Sequence, residues 1–293
     1  MRSVRVDGFL EATGSDAIEA NFYRAGTTSV LQRIMEEESA DARQADAVVS
    51  TGPALEELSN ESLLQTFDTP LAEDLIEDAM YEDWASIYIN LYTAAWNTDL
   101  VAEADIPTTW EEVLSSPGTV GVELKSYDWF ATLVTEHFMA EQGLSEEEAV
   151  ALFADADMVP VDGRTALTEL TVAGQYDVAA STYTQNVDQF RNQGAPIAWE
   201  PPVQPLVLQP IGVAPVQDSD VPATTLLFVD YLLGQDGQEL LAGFERIPTN
   251  TNVEGSIPEE YDTVSVDVAE MVENRVKWEE LFATVTGEPA PSG

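Results

Sequence analysis

The residues with most to offer chemically are short runs of glycine and hydroxyl side chains, placed where the hydropathy pattern turns from strand to helix. Gly26-Thr27-Thr28 precedes a helical repeat of Val30, Leu31, Ile34 and Met35, and Ser50-Thr51-Gly52 closes the apolar run Ala45–Ser50 before a helical stretch over Ala54–Leu64. The first turn of a helix leaves backbone N–H groups without intrahelical partners, at the positive end of the macrodipole. Both runs are therefore candidates for holding a small polar or anionic ligand. An ordinary helix cap uses the same residue types, and the residues alone leave that alternative open. Gly163-Arg164-Thr165 is a third such place. Arg164 is one of nine arginines and stands at a predicted helix start, where the macrodipole disfavours a cation. It needs an anionic partner, which is either a carboxylate or phosphate of a ligand or a neighbouring acid of the protein. Tyr183 and Asn186 follow a predicted strand end and can orient a polar ligand, although a single tyrosine also packs with its hydroxyl satisfied inside the protein. Tyr127-Asp128-Trp129, at another helix start, is a weaker candidate than Tyr183.

Other chemistries are poorly supplied. The chain has no cysteine, which removes disulfides, thiolate nucleophiles and thiolate metal sites. Its single histidine, His137, lies inside a predicted helix and reads as structural. No G-x-S-x-G, H-E-x-x-H, P-loop or G-x-G-x-x-G occurs. The runs Glu36-Glu37-Glu38 and Glu146-Glu147-Glu148 lie on acidic helix faces and read as solvated charge. No catalytic residue, cofactor or metal is expected.

The elements that must position the candidates alternate between strand and helix. Val4–Thr13 reads as a helix closed by Gly14, Ala17–Tyr23 as a short strand, and Ala45–Ser50 as a strand of buried type. Strand, loop and helix thus occur twice in succession, which predicts a parallel α/β sheet with its loops along one edge. Further strands are predicted over Tyr88–Trp96, Val120–Leu124, Met158–Val161 and Tyr176–Ser181. Helices are predicted from Thr109, over Trp129–Gln142, over Ser145–Phe153 with a capped first turn, over Ala166–Ala173 and over Tyr183–Gln193. Pro196–Pro215 carries six prolines among apolar residues and reads as a return connection with edge-type strands. Val221–Phe244 is helical with breaks at Gly234 and Gly237, Tyr261–Thr286 holds one more helix, and Gly287–Gly293 is a polar tail. A length of 293 residues suits two lobes better than one core.

Several stretches in this order resemble the iron(III)-type and related periplasmic binding proteins of ABC importers, from about Phe9 to the end. They are Tyr23 through Ile34, Ala45-Asp46-Ala47-Val48-Val49-Ser50, Tyr92 through Val101, and Pro107 with Thr109 through Leu114. The run continues with Gly194-Ala195-Pro196-Ile197-Ala198-Trp199, Leu227 through Leu233, Gly237-Gln238-Glu239-Leu240-Leu241 and Arg246-Ile247-Pro248-Thr249-Asn250. The resemblance implies an α/β, two-lobed type II periplasmic-binding fold with two interlobe crossing strands. Lobe I would comprise 1–95 and 208–250, lobe II 96–207, and 251–293 would form a C-terminal helix and tail packing across the lobes. It implies a monomer that closes around a small-molecule ligand outside the cytoplasm and delivers it to a membrane permease with its ATPase. A ligand-sensing receptor of the same fold is the alternative. Two departures stand out. The family's usual first strand of lobe I and most of its first helix are absent before Val4, as expected of a start assigned too late. Met1-Arg2-Ser3-Val4-Arg5-Val6 has no apolar signal segment, which leaves a trimmed export signal or lipoprotein tether, a late start, or a cytosolic protein as the readings. Iron-binding members carry two adjacent tyrosines after the strand matching Asp177–Ser181, whereas here only Tyr183 stands in Ser181-Thr182-Tyr183-Thr184, a thin ligand set for ferric iron.

Fifty-four acidic residues against eleven basic ones give a net charge of −43, with only Lys125 and Lys277 as lysines. Such a surface repels nucleic-acid phosphates and anionic headgroups, so neither is an expected partner. No apolar run approaches the ~20 residues that span a bilayer, so no membrane insertion is expected. Self-repulsion at this density is screened as the Debye length falls from about 30 Å at 0.01 M salt to about 3 Å at 1 M, which fits a saline environment, with a merely acidic secreted protein as the alternative. Circular dichroism melts should show a melting temperature that rises steadily from low to molar salt; an unchanged midpoint would refute the assignment to a saline setting.

Overall fold

The computed structural model describes residues 4–14 and 17–288. Helix α1 (Val4–Thr13) ends at Gly14, whose φ of 57° is the left-handed conformation that glycine adopts without cost. Helix α2 (Thr27–Ser39), strand β1 (Ala47–Thr51) and helix α3 (Gly52–Asn60) follow. Strand β2 (Ala85–Asn97) is buried along its whole length, and its sequence is mainly apolar and aromatic, with Ser86, Asn90, Thr93 and Asn97 as buried polar residues within it. Next come α4 (Trp110–Leu114), β3 (Val120–Glu123), α5 (Tyr127–Thr132), continued over Leu133–Glu141 as a wider π-type helix, and α6 (Glu146–Asp155). The chain goes on through β4 (Val159–Val161), α7 (Arg164–Val172), β5 (Val178–Tyr183), α8 (Thr184–Arg191), β6 (Ile197–Ala198) and β7 (Leu206–Pro215). It ends with α9 (Pro222–Leu233), α10 (Gln235–Ala242), β8 (Ile247–Pro248), β9 (Thr263–Ser265), α11 (Val268–Glu273) and α12 (Arg275–Thr286).

These elements form two compact units. The first contains the chain up to Ile89 and Pro210–Ser256; the second contains Asn90–Gln209 and the chain from Ile257. Strands β2 and β7 each run from one unit into the other, at Ile89–Asn90 and Gln209–Pro210. In the first unit β7 lies between β1 and β2, with Ala47 opposite Pro215 and Thr51 opposite Ile211. The strands meet closely at Gly212, where a Cβ would come within 2.4 Å of the Trp84 ring and 2.8 Å of the Ala85 carbonyl oxygen. The core of this unit sets Ile87, Val213, Val229, Leu232 and Leu241 together. Gln238 joins α10 to the sheet from inside that core. Its Nε2 donates to the carbonyls of Ile87 and Leu232, both at 2.7 Å, and its Oε1 accepts from the backbone N–H groups of Thr249 and Asn250 at 2.8 and 3.1 Å.

The second unit is built on an aromatic core. Trp129 and Phe130 each meet Phe153 edge-on, at 5.7 and 4.8 Å between centroids, and Trp278 and Phe282 dock α12 against Phe130. The chain from Ile257 onward, α12 included, belongs with this unit. Helix α6 carries the expected capping box, Ser145 with Glu148, and Thr109 caps α4.

Several sequence expectations are corrected. Ala17–Tyr23 forms no strand; Phe22 and Tyr23 stay exposed, at 44% and 51%, with no neighbouring strand to bury them. In the first unit β1 pairs with β7, and β2 with β8, antiparallel and not parallel. Within Pro196–Pro215, β7 is an interior strand, not an edge strand. The helical run Val221–Phe244 breaks at Gly234 alone; Gly237 sits inside α10 because a Cβ there would lie 2.1 Å from the Tyr231 carbonyl oxygen. Tyr261–Thr286 holds β9 and two helices rather than one helix. Beyond Glu288 the expected polar tail lies outside the described residues, as does Met1-Arg2-Ser3.

Replacing Gln238 by leucine leaves two buried N–H groups and two buried carbonyls without this partner, and should destabilise the protein by about 2–4 kcal/mol. Urea unfolding followed by circular dichroism measures this; a loss below about 0.5 kcal/mol would mean the amide contributes no more than an average surface side chain.

Candidate functional site

Three strands of the second unit bring their ends to one edge. β3 runs parallel to β4, with Glu123 opposite Val161, and parallel to β5, with Val120 opposite Val178. Because the strands are parallel, the helices that follow them, α5, α7 and α8, all start on the same side. Antiparallel pairing of β2 with β5 then sets Tyr92 opposite Tyr183, and their rings stand 4.8 Å apart.

Arg164, the first residue of α7, reaches into this edge. Its Nη2 donates to the Tyr92 hydroxyl and to Ser126 Oγ, the latter at 3.1 Å, and lies 3.5 Å from Glu123 Oε2. The guanidinium carbon sits 4.8 Å from the centre of the Tyr92 ring and 4.5 Å from that of Tyr183. Glu123 also accepts from Ser126 Oγ and from the Lys125 backbone N–H, both at 3.0 Å. Behind the arginine, Tyr92 donates to Asp128 Oδ1 at 2.8 Å, and Gln209 Nε2 donates to Asp128 Oδ2 and, at 3.2 Å, to the Tyr92 oxygen. Gln209 Oε1 accepts from Tyr183 at 2.6 Å and from Asn90 Nδ2 at 3.2 Å, and Gln185 donates to Asn90 Oδ1 at 2.9 Å. The result is a buried polar network holding two carboxylates, one guanidinium and two phenols.

Burial governs the titration of these phenols. It pushes Tyr92 well above the ordinary phenol value, with Asp128 and Glu123 adding to the effect and the Arg164 cation only partly opposing it. Tyr183 is pushed up to about 12 for the same reasons. For Arg164, burial favours the neutral form, but the two tyrosines and the carboxylates of Glu123 and Asp128 more than reverse it, so the guanidinium stays charged.

Of the residues singled out in the sequence, Arg164 and Tyr183 enter this network. Thr165 and Asn186 lie one and three residues further along, Thr165 exposed and Asn186 half-buried. The anionic partner that Arg164 required is supplied by the protein as Glu123. In the first unit Gly26 and Thr51 are the N-cap residues of α2 and α3, and neither makes a side-chain cap hydrogen bond; α2 offers first-turn N–H groups, whereas the first turn of α3 is buried and holds Pro53, which has none. Thr27 and Thr28 are exposed, Thr51 is half-buried, and Ser50 and Gly52 are buried. An open hollow of about 700 Å³ in the same unit, lined by Phe9, Ile18, Leu227, Asp230, Tyr231 and Asp236, contains none of the candidates.

Sequence reasoning did not single out Tyr92, Glu123, Ser126, Gln209, Asn90 or Gln185, which join Arg164, Tyr183 and Asp128 in this network. One signal was available: Glu123 and Gln209 interrupt otherwise apolar strand sequences, and a polar residue inside a buried strand needs a buried partner. His137 is bonded to Glu141 at 2.9 Å on its own helix, consistent with a structural role. No group of three or more His, Cys, Asp or Glu suited to a metal occurs among the described residues.

Two α/β units threaded by two strands common to both, with helix starts gathered at strand ends, define a binding-protein class of architecture. The sequence matches the model of the bacterial extracellular solute-binding proteins over residues 5–264, and the chain belongs to that family. Comparison with curated proteins gives no match. Among solved structures the chain is similar to iron-bound HitA from Pseudomonas aeruginosa, at 16% identity and a TM-score of 0.78, covering 97% of this chain and 96% of that one. It is similar to the periplasmic binding protein AfuA from Actinobacillus pleuropneumoniae with fructose-6-phosphate bound, at 17% identity and a TM-score of 0.79 over 98% and 96% of the two chains. MotA from A. tumefaciens B6 in complex with glucopine is similar at 14% identity and a TM-score of 0.74, covering 97% of each chain. At such identities the likeness is one of fold.

The unfolded chain releases the Tyr183 proton near pH 10, whereas the folded chain holds it to about 12. Across that window the folded state binds more protons, so stability from this group is complete below about pH 10 and falls as the pH rises towards 12. Spectrophotometric titration of tyrosinate should therefore find that Tyr183→Phe removes one phenol from the late-ionising set; removal of an ordinary, early-ionising phenol would contradict the buried network.

Proposed function

We propose that this chain is the capture component of an ABC importer, which takes up a small polar solute outside the cytoplasmic membrane and passes it to a permease with its ATPase. The observation that carries the reading is the family match over nearly the whole chain, joined to a polar network at converging strand ends and helix starts. The residues assigned to the solute are Gly26, Thr27, Thr28, Ser50, Thr51 and Gly52 in the first unit, and Arg164, Thr165, Tyr183 and Asn186 in the second. Support comes from the uncapped N-terminus of α2, whose N–H groups suit carboxylate, phosphate or hydroxyl oxygens. The solutes named for the similar structures, a sugar phosphate and an opine, are polar molecules of this size class.

Ferric iron is disfavoured as cargo. Tyr92 and Tyr183 do stand side by side, but both are buried, both hydroxyls are hydrogen-bonded within the protein, and both phenols are held protonated beside a guanidinium cation. A hard ferric ion requires phenolate oxygens. Binding without turnover also fits a chain whose buried acids are tied to fixed internal donors.

Isothermal titration against sugar phosphates, amino acids, opines, polyamines and ferric ion tests the reading. Saturable one-to-one binding of an organic solute, with no tyrosinate-to-iron charge-transfer colour on adding ferric ion, is the expected result. A folded protein that binds none of the organic solutes would overturn it.

A further inference from the structure

The surroundings of Arg164 amount to a cage for an organic cation. The faces of Tyr92 and Tyr183 lie 4.8 and 4.5 Å from the guanidinium carbon, the Glu123 carboxylate is 3.5 Å from Nη2, and the Ser126 hydroxyl is at 3.1 Å. Asp128 stands behind Tyr92. Two aromatic faces with carboxylates beside them are the standard chemistry for recognising ammonium and guanidinium groups. Two buried acids, Glu123 and Asp128, thus stand around one resident cation.

Arg164 fills this cage imperfectly. Its hydrogen bonds to the cage run through Nη2 alone, and its Nε is buried without a partner among the described residues. It stands at a helix N-terminus, where the macrodipole opposes a cation. Gly163 before it holds φ of 100°, open to glycine and strained for other residues. The side chain is 19% exposed, so the cage is reachable from solvent along the arginine itself.

We propose that this cage is a subsite for an organic cation, a solute bearing an ammonium or guanidinium group, and that Arg164 occupies it as an internal placeholder which the solute displaces. The proposal rests on the solute-binding reading and narrows it to amine- and guanidine-bearing molecules. It also gives the released guanidinium a role, since a zwitterionic solute would bring a carboxylate within its reach.

Emptying the cage tests the idea. Arg164→Ala, and in parallel Arg164→Gln as the milder change should the first not fold, are titrated with ethylguanidinium, ethylammonium and neutral N-ethylurea, with calorimetry and melting temperature as readouts. Either variant should bind ethylguanidinium about tenfold or more tightly than N-ethylurea, and be thermally stabilised by it, and adding Glu123→Gln should erase the preference. A folded variant that treats the charged and neutral probes alike, or whose preference survives Glu123→Gln, overturns the proposal. The two readings fail separately. If the native protein binds no solute while the variants discriminate the probes, the cage stands and solute capture falls. If the native protein binds only anionic solutes and the variants do not discriminate, capture stands and the cage falls.

Discussion

The second unit depends on the accommodation of one buried cation. A guanidinium taken out of water is costly unless its charge is matched and its donors are used, and removing one partner from such a pair costs more than the pair contributes. Arg164 meets the charge demand with Glu123, Ser126 and the faces of two tyrosines, and leaves the donor demand partly open at Nε. Each partner is in turn fixed by another group: Glu123 by Ser126 and the Lys125 amide, Tyr92 by Asp128, and Tyr183 by Gln209. The partners around Arg164 are held by one another rather than by the arginine alone, so they join β2, β3, β5 and α5 into a fixed polar frame.

The network also reaches the points where the chain passes between its two units. Asn90 and Gln209, the residues of β2 and β7 at those boundaries, are bonded to each other at 3.2 Å, and Gln209 is bonded onward to Asp128, Tyr92 and Tyr183. The amide side chain of Gln209 suits this place because it both donates and accepts in a fixed plane. In the first unit Gln238 plays a comparable part, joining α10 to β2 and to the Thr249–Asn250 turn through the same dual capacity. Each unit is thus tied to a crossing strand by a buried glutamine.

Against this stands a surface that carries nearly all of the net charge of −43. Several of the few cations are spent on surface pairs, some local, as Arg33 with Glu37 and Arg275 with Glu279, and some between distant segments, as Lys277 with Glu146. Exposed pairs of this kind contribute little to stability, so the folded state rests on its two cores and their buried polar networks, and the surface acts through repulsion and its screening.

The sequence by itself determined the class of fold, the family and most of the helices, because these are written in local periodicity, caps and short-range order. Gly14, the Ser145–Glu148 box and the mainly apolar run of β2 each act on neighbours a few residues away, and each appears where it was expected. Arg164 could likewise be singled out, since a cation at a helix start needs a partner wherever it occurs. What the sequence could not determine was which partner. Glu123, Tyr92 and Gln209 lie 41, 72 and 45 positions away from it, and only strand register brings them together. The failed strand at Ala17–Tyr23 has the same cause, because a strand exists only if another offers an edge to pair with. Local propensity chose the elements; the parallel alignment of β3, β4 and β5 and the antiparallel return of β2 decided which side chains meet.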